Sequence, residues 1–297
     1  TAYEITYGDW SSDVCSSDLA LLLAAERGGW QIEVTGANAD ELPYVEMTRE
    51  LVKVFPRQGG EFQIEPDASS GSYFWAAGNW DIDSKDFSPL VKVRCWPVSG
   101  WQVDAKFPVW MRHFASESTS VPWHAPEVME KEYGKDWRAN PERLGKGYDE
   151  AIVTSRKNHL GDSIMTAIVV APYAVLPVTF IDLNPLRVQE CERVVALRTE
   201  LTKCGAKVIE EGDTLTVYPS PLHGAEIETY NDHRMAMCFA VLGLKVPGIK
   251  LRNPSCVKKT FPNFFQKLAA TQPNGLGATI LNGHTREPLS HDELFAR

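Results

Sequence analysis

The stretch DHRMAMCFAVLGL, Asp232 to Leu244, decides the fold class. From Met235 to Leu242 it is apolar or small on every face of a helical wheel, as a fully buried helix is. Asp232 stands where an N-cap belongs, so the helix is expected to start beside it, leaving unpaired N–H groups and a positive dipole end there. The same plan occurs twice upstream, as DASSGSYFWAA from Asp67 and DSIMTAIVVAP from Asp162. These three runs are expected to pack side by side in the interior.

Two longer segments read as copies of one helix–strand unit. MTRELVKVF (Met47–Phe55) is amphipathic and leads through Gly59-Gly60 into the strand-like EFQIEP (Glu61–Pro66). LRTELTKCG (Leu197–Gly205) repeats the helix with Gly205 at its C-terminal cap, and LTVYP (Leu215–Pro219) repeats the strand. The shared order of Glu, Leu and Lys in RELVK and TELTK marks the repetition. Repeated strand–helix units predict an α/β domain with internal pseudo-symmetry. The longer interval between the first two Asp-led helices places an insertion at about 113–157, rich in charge, Pro and Gly. Its ordinary reading is a solvated excursion, with a substrate lid as the other. Residues 271–297 read as a polar, turn-rich tail appended to the core.

SSDVCSSDL, Ser11 to Leu19, matches neither helix nor strand periodicity. It reads as a translated sequencing-adapter remnant or as a natural flexible loop, and no function is assigned to residues 1–19. The net charge of −9 argues against nucleic acid or an anionic membrane as a partner, since both are bound through excess Lys and Arg. An anionic substrate would need a local cluster of cations. The six cysteines, at 15, 95, 191, 204, 238 and 256, show no metal-ligand spacing and read as small buried thiols of a reducing compartment. The longest apolar stretches, such as Ile164 to Ala174, are too short to span a bilayer, and no signal peptide is expected. These features together point to the cytoplasm.

Three stretches carry charged groups at helix starts. TYNDHRMAM (Thr229–Met237) puts Asp232, His233 and Arg234 at the mouth of the apolar helix, where an anion is favoured and Arg can bind a carboxylate or phosphate bidentately. In LRVQECERVVALRTEL (Leu186–Leu201), Arg187, Glu190 and Arg193 recur every three residues on what reads as one face of a helix start. In VKKTFPNFF, Lys258 and Lys259 precede Thr260 as a candidate N-cap. Taken singly these are an ordinary N-cap, a surface ion-pair ladder and a solvated Lys pair.

In chain order, LPYVEMT, EPDASSGSYFWAA, HLGDSIMTAIVVAP, RVQECER, TYNDHRMAMCFAVLGL and CVKKTFPNFFQKLA resemble the motifs of the EPSP synthase family, from about Leu42 to Ala270. The resemblance implies an inside-out α/β barrel of repeated strand–helix units, with one domain nearly whole (66–270) and the other truncated (20–65). It implies transfer of the enolpyruvyl group of phosphoenolpyruvate to the 5-hydroxyl of shikimate 3-phosphate, by a monomer that needs no metal or organic cofactor. Asp162 matches the carboxylate that takes the acceptor proton, and Glu190 the acidic residue near the phosphoenolpyruvate methylene. Arg193, Arg234 and Lys259, with His233 beside them, match phosphoenolpyruvate-binding groups. Tyr44, Asn184 and Gln189, together with Asp162, match the acceptor side. Gln189 replaces the Lys usual in the family, and Glu41-Leu42 replaces Ser-Lys before Pro43-Tyr44. The family's amino-terminal motifs are not found, so the chain alone is expected to be inactive. A related enolpyruvyl transferase with another acceptor, or a non-catalytic anion-binding module, are the alternatives.

Overall fold

Burial follows the apolar runs. The computed structural model describes residues 14–32, 42–78, 91–116, 152–174 and 176–297. Its helices are α1 (Val14–Gly28), α2 (Leu42–Val54), α3 (Ala68–Gly78), α4 (Phe107–Ser116), α5 (Ile164–Val170), α6 (Arg193–Lys203), α7 (His233–Gly243) and α8 (Phe264–Ala269). The strands are β1 (Ile152–Ser155), β2 (Val178–Ile181), β3 (Val208–Glu211), β4 (Thr214–Val217), β5 (Glu226–Ile227) and β6 (Lys250–Leu251). This is a mixed α/β chain, as expected.

The three Asp-led helices, α3, α5 and α7, pack against one another. Every residue of α5 is buried, no residue of α3 is exposed, and α7 exposes only its terminal Gly243. Their few polar groups pair with each other across the helix contacts. Ser72 Oγ lies 2.9 Å from Thr166 Oγ1, which in turn lies 3.7 Å from Cys238 Sγ, so a hydroxyl–hydroxyl–thiol chain joins all three helices. Phe264 and Tyr73 add edge-to-face aromatic packing between α8 and α3.

The main sheet has the order β1-β2-β4-β3. β1 and β2 are parallel, with Ser155 opposite Ile181, whereas β4 runs antiparallel to both β2 and β3. The β3–β4 hairpin turns through Gly212 (φ 60°), and Val178, Phe180, Leu215 and Val217 are buried on the sheet's core face. β5 and β6 form a separate parallel pair. β1 runs straight into a π-helical turn, Arg156–Leu160, and then a 3₁₀ turn, Gly161–Ser163, so the sheet edge delivers Asp162 to the start of α5.

Several expectations are corrected. Val14–Gly28 form one helix that crosses the expected boundary at residue 19, because the helix-forming run from Leu19 to Arg27 propagates back into the Ser/Asp stretch. Residues 1–13 lie outside the described ones. EFQIEP forms no strand: Glu65 Oε1 accepts the N–H groups of Val98 and Ser99, and the Pro66 carbonyl accepts from the Gln102 side chain. β1 and the first two residues of the Arg156–Leu160 turn fall inside the span read as a solvated insertion, whose residues 117–151 lie outside the described ones. The run Leu186–Leu201 is broken into a 3₁₀ turn, Asn184–Val188, and α6, because Glu192 caps the helix at Arg193 by accepting the Val195 N–H. Arg187 and Glu190 therefore share no helical face with Arg193, and Arg187 pairs instead with Glu192 and Glu210. Lys258 and Lys259 end a 3₁₀ turn, and the N-cap of α8 is Asn263, not Thr260. The tail is turn-rich, yet it also places Leu294 and Ala296 in the core. Cys204, Cys238 and Cys256 are buried, Cys191 is half-buried, and Cys95 is exposed, against the expectation for it. Among the described residues no helix is long and apolar enough to cross a membrane.

Candidate active site

The site is built around the first turn of α7. Tyr230 and Asn231 both adopt left-handed backbone (φ 53° and 55°), which swings the chain so that Asp232 enters in an extended conformation and caps the helix. Asp232 Oδ1 accepts the N–H groups of Arg234 (2.7 Å) and Met235 (3.4 Å). Its Oδ2 accepts from Arg193 Nε at 2.7 Å, and both side chains of this pair are buried. Burial pushes the Asp232 carboxyl up, but Arg193 and the capped N–H groups outweigh it and hold it below the usual carboxylate range. One carboxylate thus fixes both the helix that carries Arg234 and the side chain of Arg193.

Asp162 faces the same turn from α5. Arg156 Nη2 donates to its Oδ1 at 2.8 Å, and Arg234 Nη2 lies 3.2 Å from its Oδ2. Burial opposes ionisation of Asp162, yet Arg234, Arg156 and Arg193 together hold it well below the usual carboxylate range. Asp162 was expected to cap its helix, but its side chain is committed to the two arginines. The N-cap of α5 is Ser163, which carries no side-chain cap; its N–H is instead accepted by Asp104 Oδ1, in the 3₁₀ turn Val103–Lys106, at 2.7 Å, and the same oxygen accepts the Ser69 hydroxyl at 2.8 Å. Burial first, then the Asp162 charge, pushes the Asp104 carboxyl up to about 6.

Tyr44 ties α2 to this cluster. Its hydroxyl accepts the Asp162 N–H at 3.1 Å and donates to Asp104 Oδ2 at 3.4 Å, while its ring lies 6.0 Å from the Arg156 guanidinium carbon. Burial and the neighbouring Asp104 keep the phenol neutral. Gly161 makes the junction possible, since its φ is +53° and a Cβ there would strike Asp104 and the Tyr44 hydroxyl, the latter at 2.7 Å. His233 is pushed down to about 4 by burial and then by the Arg234 charge, so the ring is neutral near pH 7, and its Nδ1 makes no hydrogen bond.

Gln189 and Glu190 approach from the segment before α6. Gln189 Oε1 accepts from Arg193 Nη1, and Glu190 Oε1 pairs with Lys259 Nζ at the more open side. His233 feels the charges of Arg193, Arg234 and Glu190 together. Of the residues read from sequence, Asp162, Arg234, Arg193 and Tyr44 are joined through direct contacts or shared partners, and Gln189 reaches them through Arg193, whereas Glu190 and Lys259 pair with each other. Asn184 is exposed at the start of its 3₁₀ turn, and none of the hydrogen bonds or ion pairs joining the described cluster reaches it. Sequence reading missed Arg156 and Asp104. Arg156 sat in the span read as solvated, and Asp104 follows no charged or periodic pattern, so neither carried a local signal. Among the described residues no group of His, Cys, Asp and Glu is arranged to hold a metal ion.

The arrangement can attract an anion and move a proton. Arg156 and Arg234 meet Asp162, and Arg193 meets Asp232 at the positive end of α7, while Lys259 pairs with Glu190; Asp162 and Glu190 are partly accessible, at 14% and 31% side-chain exposure.

A family profile described as EPSP synthase (3-phosphoshikimate 1-carboxyvinyltransferase) matches residues 111–268, more than half of the chain. A 3-phosphoshikimate 1-carboxyvinyltransferase of Trichormus variabilis is 37% identical over 212 residues, covering 71% of this chain and 44% of that protein. The protein of the same name from Aeromonas salmonicida is 32% identical over 297 aligned positions, covering 89% of this chain and 62% of its own. A solved EPSP synthase of Acinetobacter baumannii superposes with a TM-score of 0.34 and 28% identity over 36% of this chain and 26% of its own. The chain thus spans about half the length of the curated relatives it matches. With two of its three Asp-led buried helices and its Asp232-His233-Arg234 turn inside the matched region, the chain belongs to the EPSP synthase family.

Proposed function

We propose that this chain supplies one wall of a site that transfers the enolpyruvyl group of phosphoenolpyruvate to the 5-hydroxyl of shikimate 3-phosphate, the chemistry named for its curated relatives. In this reading Arg193, Arg234 and Lys259 bind phosphoenolpyruvate with His233 beside them, and Tyr44, Asp162, Asn184 and Gln189 serve the acceptor. The observation that carries it is the contact of Asp162 with Arg234 at the mouth of α7, which joins a proton acceptor to an anion-binding cation.

The acceptor oxygen bonds to C2 of phosphoenolpyruvate as its proton passes to Asp162, while Glu190 gives a proton to C3. The tetrahedral adduct then returns the C3 proton to Glu190, the C2–O bond to phosphate breaks, and Asp162 gives its proton to the departing phosphate. The cations neutralise the substrate carboxylate and the leaving group. The proposed architecture is the family's inside-out α/β barrel, with residues 66–270 as most of one domain and 20–65 as the end of the other. An insertion at about 113–157 and an appended segment 271–297 complete it. A monomer in the cytoplasm is the proposed form, in keeping with the free thiols of Cys191, Cys204, Cys238 and Cys256.

Calorimetric titration of phosphoenolpyruvate into the 297-residue chain tests the anion site. Arg193→Gln and Arg234→Gln are each expected to weaken binding about tenfold or more, the usual worth of a hydrogen bond to a charged group. Wild-type affinity in both variants would remove these residues from the site.

A further inference from the structure

We propose that Arg156 is a positioning residue that holds Asp162 Oδ1 permanently, while Arg234 on Oδ2 is an exchangeable partner, so that an anion taken up by Arg234 releases Asp162 to accept a proton. The inference rests on the reading above in assigning phosphoenolpyruvate to Arg234. It goes further in giving Asp162 two states and in adding Arg156 to the working parts.

The two arginines differ in how firmly they are held. Arg156 is 1% exposed, follows β1 directly and lies six residues before Asp162, with the Tyr44 ring against its guanidinium. Withdrawing it from Asp162 would break a buried ion pair, which is costly. Arg234 is 17% exposed, sits in the first turn of α7 and lies farther from the carboxylate, 3.2 Å against 2.8 Å. It can exchange a carboxylate for a phosphate or carboxylate of a ligand without losing an anionic partner. The groups facing Asp162 are Arg156 from the turn after β1, Arg193 from α6, Arg234 from α7, Tyr44 from α2 and Asp104 from the turn before α4. Only the Arg234 contact is both direct and partly open to solvent among these described cations.

The chemical consequence has a definite sign. A carboxylate held by two guanidinium groups is a poor proton acceptor, because each cation favours its ionised form. Loss of one partner raises its proton affinity while the other keeps its orientation, which brings a general base closer to the working range. Substrate binding and base activation then become one coupled event, and the coupling is reciprocal.

A binding cycle reads this directly, with phosphoenolpyruvate as the probe and calorimetry on the 297-residue chain. Arg156→Gln leaves Arg234 as the main direct partner of Asp162, so it should weaken phosphoenolpyruvate binding about tenfold. The same substitution made together with Asp162→Asn should cost little, since no carboxylate then competes for Arg234. Asp162→Asn alone should tighten binding, and Arg156→Lys should restore affinity toward the wild type. Equal weakening by Arg156→Gln in both backgrounds would mean that Arg156 touches the ligand or acts by charge alone, and the exchange would be wrong. Should Arg156→Gln fail to fold, Asp162→Asn decides alone, since affinity at or below the wild type's refutes competition for Arg234. Undiminished binding in Arg234→Gln would instead overturn the phosphoenolpyruvate assignment, and the exchange with it.

Discussion

Asp162 neutralises two guanidinium groups, so its replacement has a structural as well as a chemical cost. Asp162→Asn leaves Arg156 buried against a neutral amide, and stability measured by urea unfolding should fall by about 3–5 kcal/mol, the usual cost of breaking a buried pair. An unchanged unfolding midpoint would show that the Arg156–Asp162 pair contributes nothing to stability. Asp104 gives the opposite kind of test. Its carboxyl is raised from 3.8 to about 6, so the native state holds its proton more tightly than the unfolded chain does. Its contribution is complete below 3.8 and disappears as pH rises through about 6. Asp104→Asn keeps an acceptor for the Ser163 N–H but cannot ionise, so the variant should gain stability relative to wild type across that window. A constant difference between the two proteins from pH 4 to 7 would rule this out. Asp162, Arg193 and Arg234 could be singled out in the sequence because they lie beside helix starts with a recognisable pattern. Arg156 and Asp104 could not, since a buried ion pair is set by which elements meet, and no local spacing announces it.

At the scale of elements, the three Asp-led helices were legible because a run that is apolar on all faces has one comfortable environment. The capping was legible only in part. Asp67 and Asp232 cap their own helices, with Asp67 Oδ1 accepting the Ser69 N–H at 2.9 Å, whereas at the start of α5 the N–H of the N-cap residue Ser163 goes to Asp104. That arrangement leaves Asp162 to the arginines, and it depends on a close approach at Gly161. Gly161→Ala would place a methyl group into Asp104 and Tyr44 on a left-handed backbone, costing about 1–3 kcal/mol from conformation alone. Thermal unfolding should show that loss, and a variant as stable as wild type would mean that the loop relaxes without strain. The strand read into EFQIEP failed for a related reason. Glu65 is drawn off to bind the N–H groups of Val98 and Ser99, a contact across more than thirty residues that alternation of residue types does not encode. α1 was missed because cooperative extension from a strong helix former overrides the weak pattern of the residues before it.

For the whole molecule, the decisive question is how much charge the described cluster has to spare for the two phosphorylated substrates of the proposed reaction. Arg193 is engaged by Asp232, Arg156 and Arg234 by Asp162, and Lys259 by Glu190. Positive and negative groups are therefore nearly balanced, and Asp104 adds a further carboxyl that ionises above about 6. Exchange of partners can admit one anion such as phosphoenolpyruvate. Shikimate 3-phosphate brings a second phosphate, and none of the described pairs offers it an uncommitted arginine. Tyr44 and Gln189 are neutral, Asn184 stands apart, and a neutral donor replaces little of a phosphate's hydration. Both substrates must also be held within a water-poor cleft for electrostatic stabilisation to count, and positioning and electrostatics are each worth several kcal/mol of barrier. The chain spans about half the length of the curated relatives it matches, and the described cluster by itself holds too few uncommitted cations for both substrates of the proposed reaction. We therefore expect the purified chain to bind phosphoenolpyruvate weakly and to release no phosphate from it above background when shikimate 3-phosphate is added. Phosphate release at the rate of a full-length relative would show that the described cations suffice for both substrates and that the balance of charge drawn from their pairing is wrong.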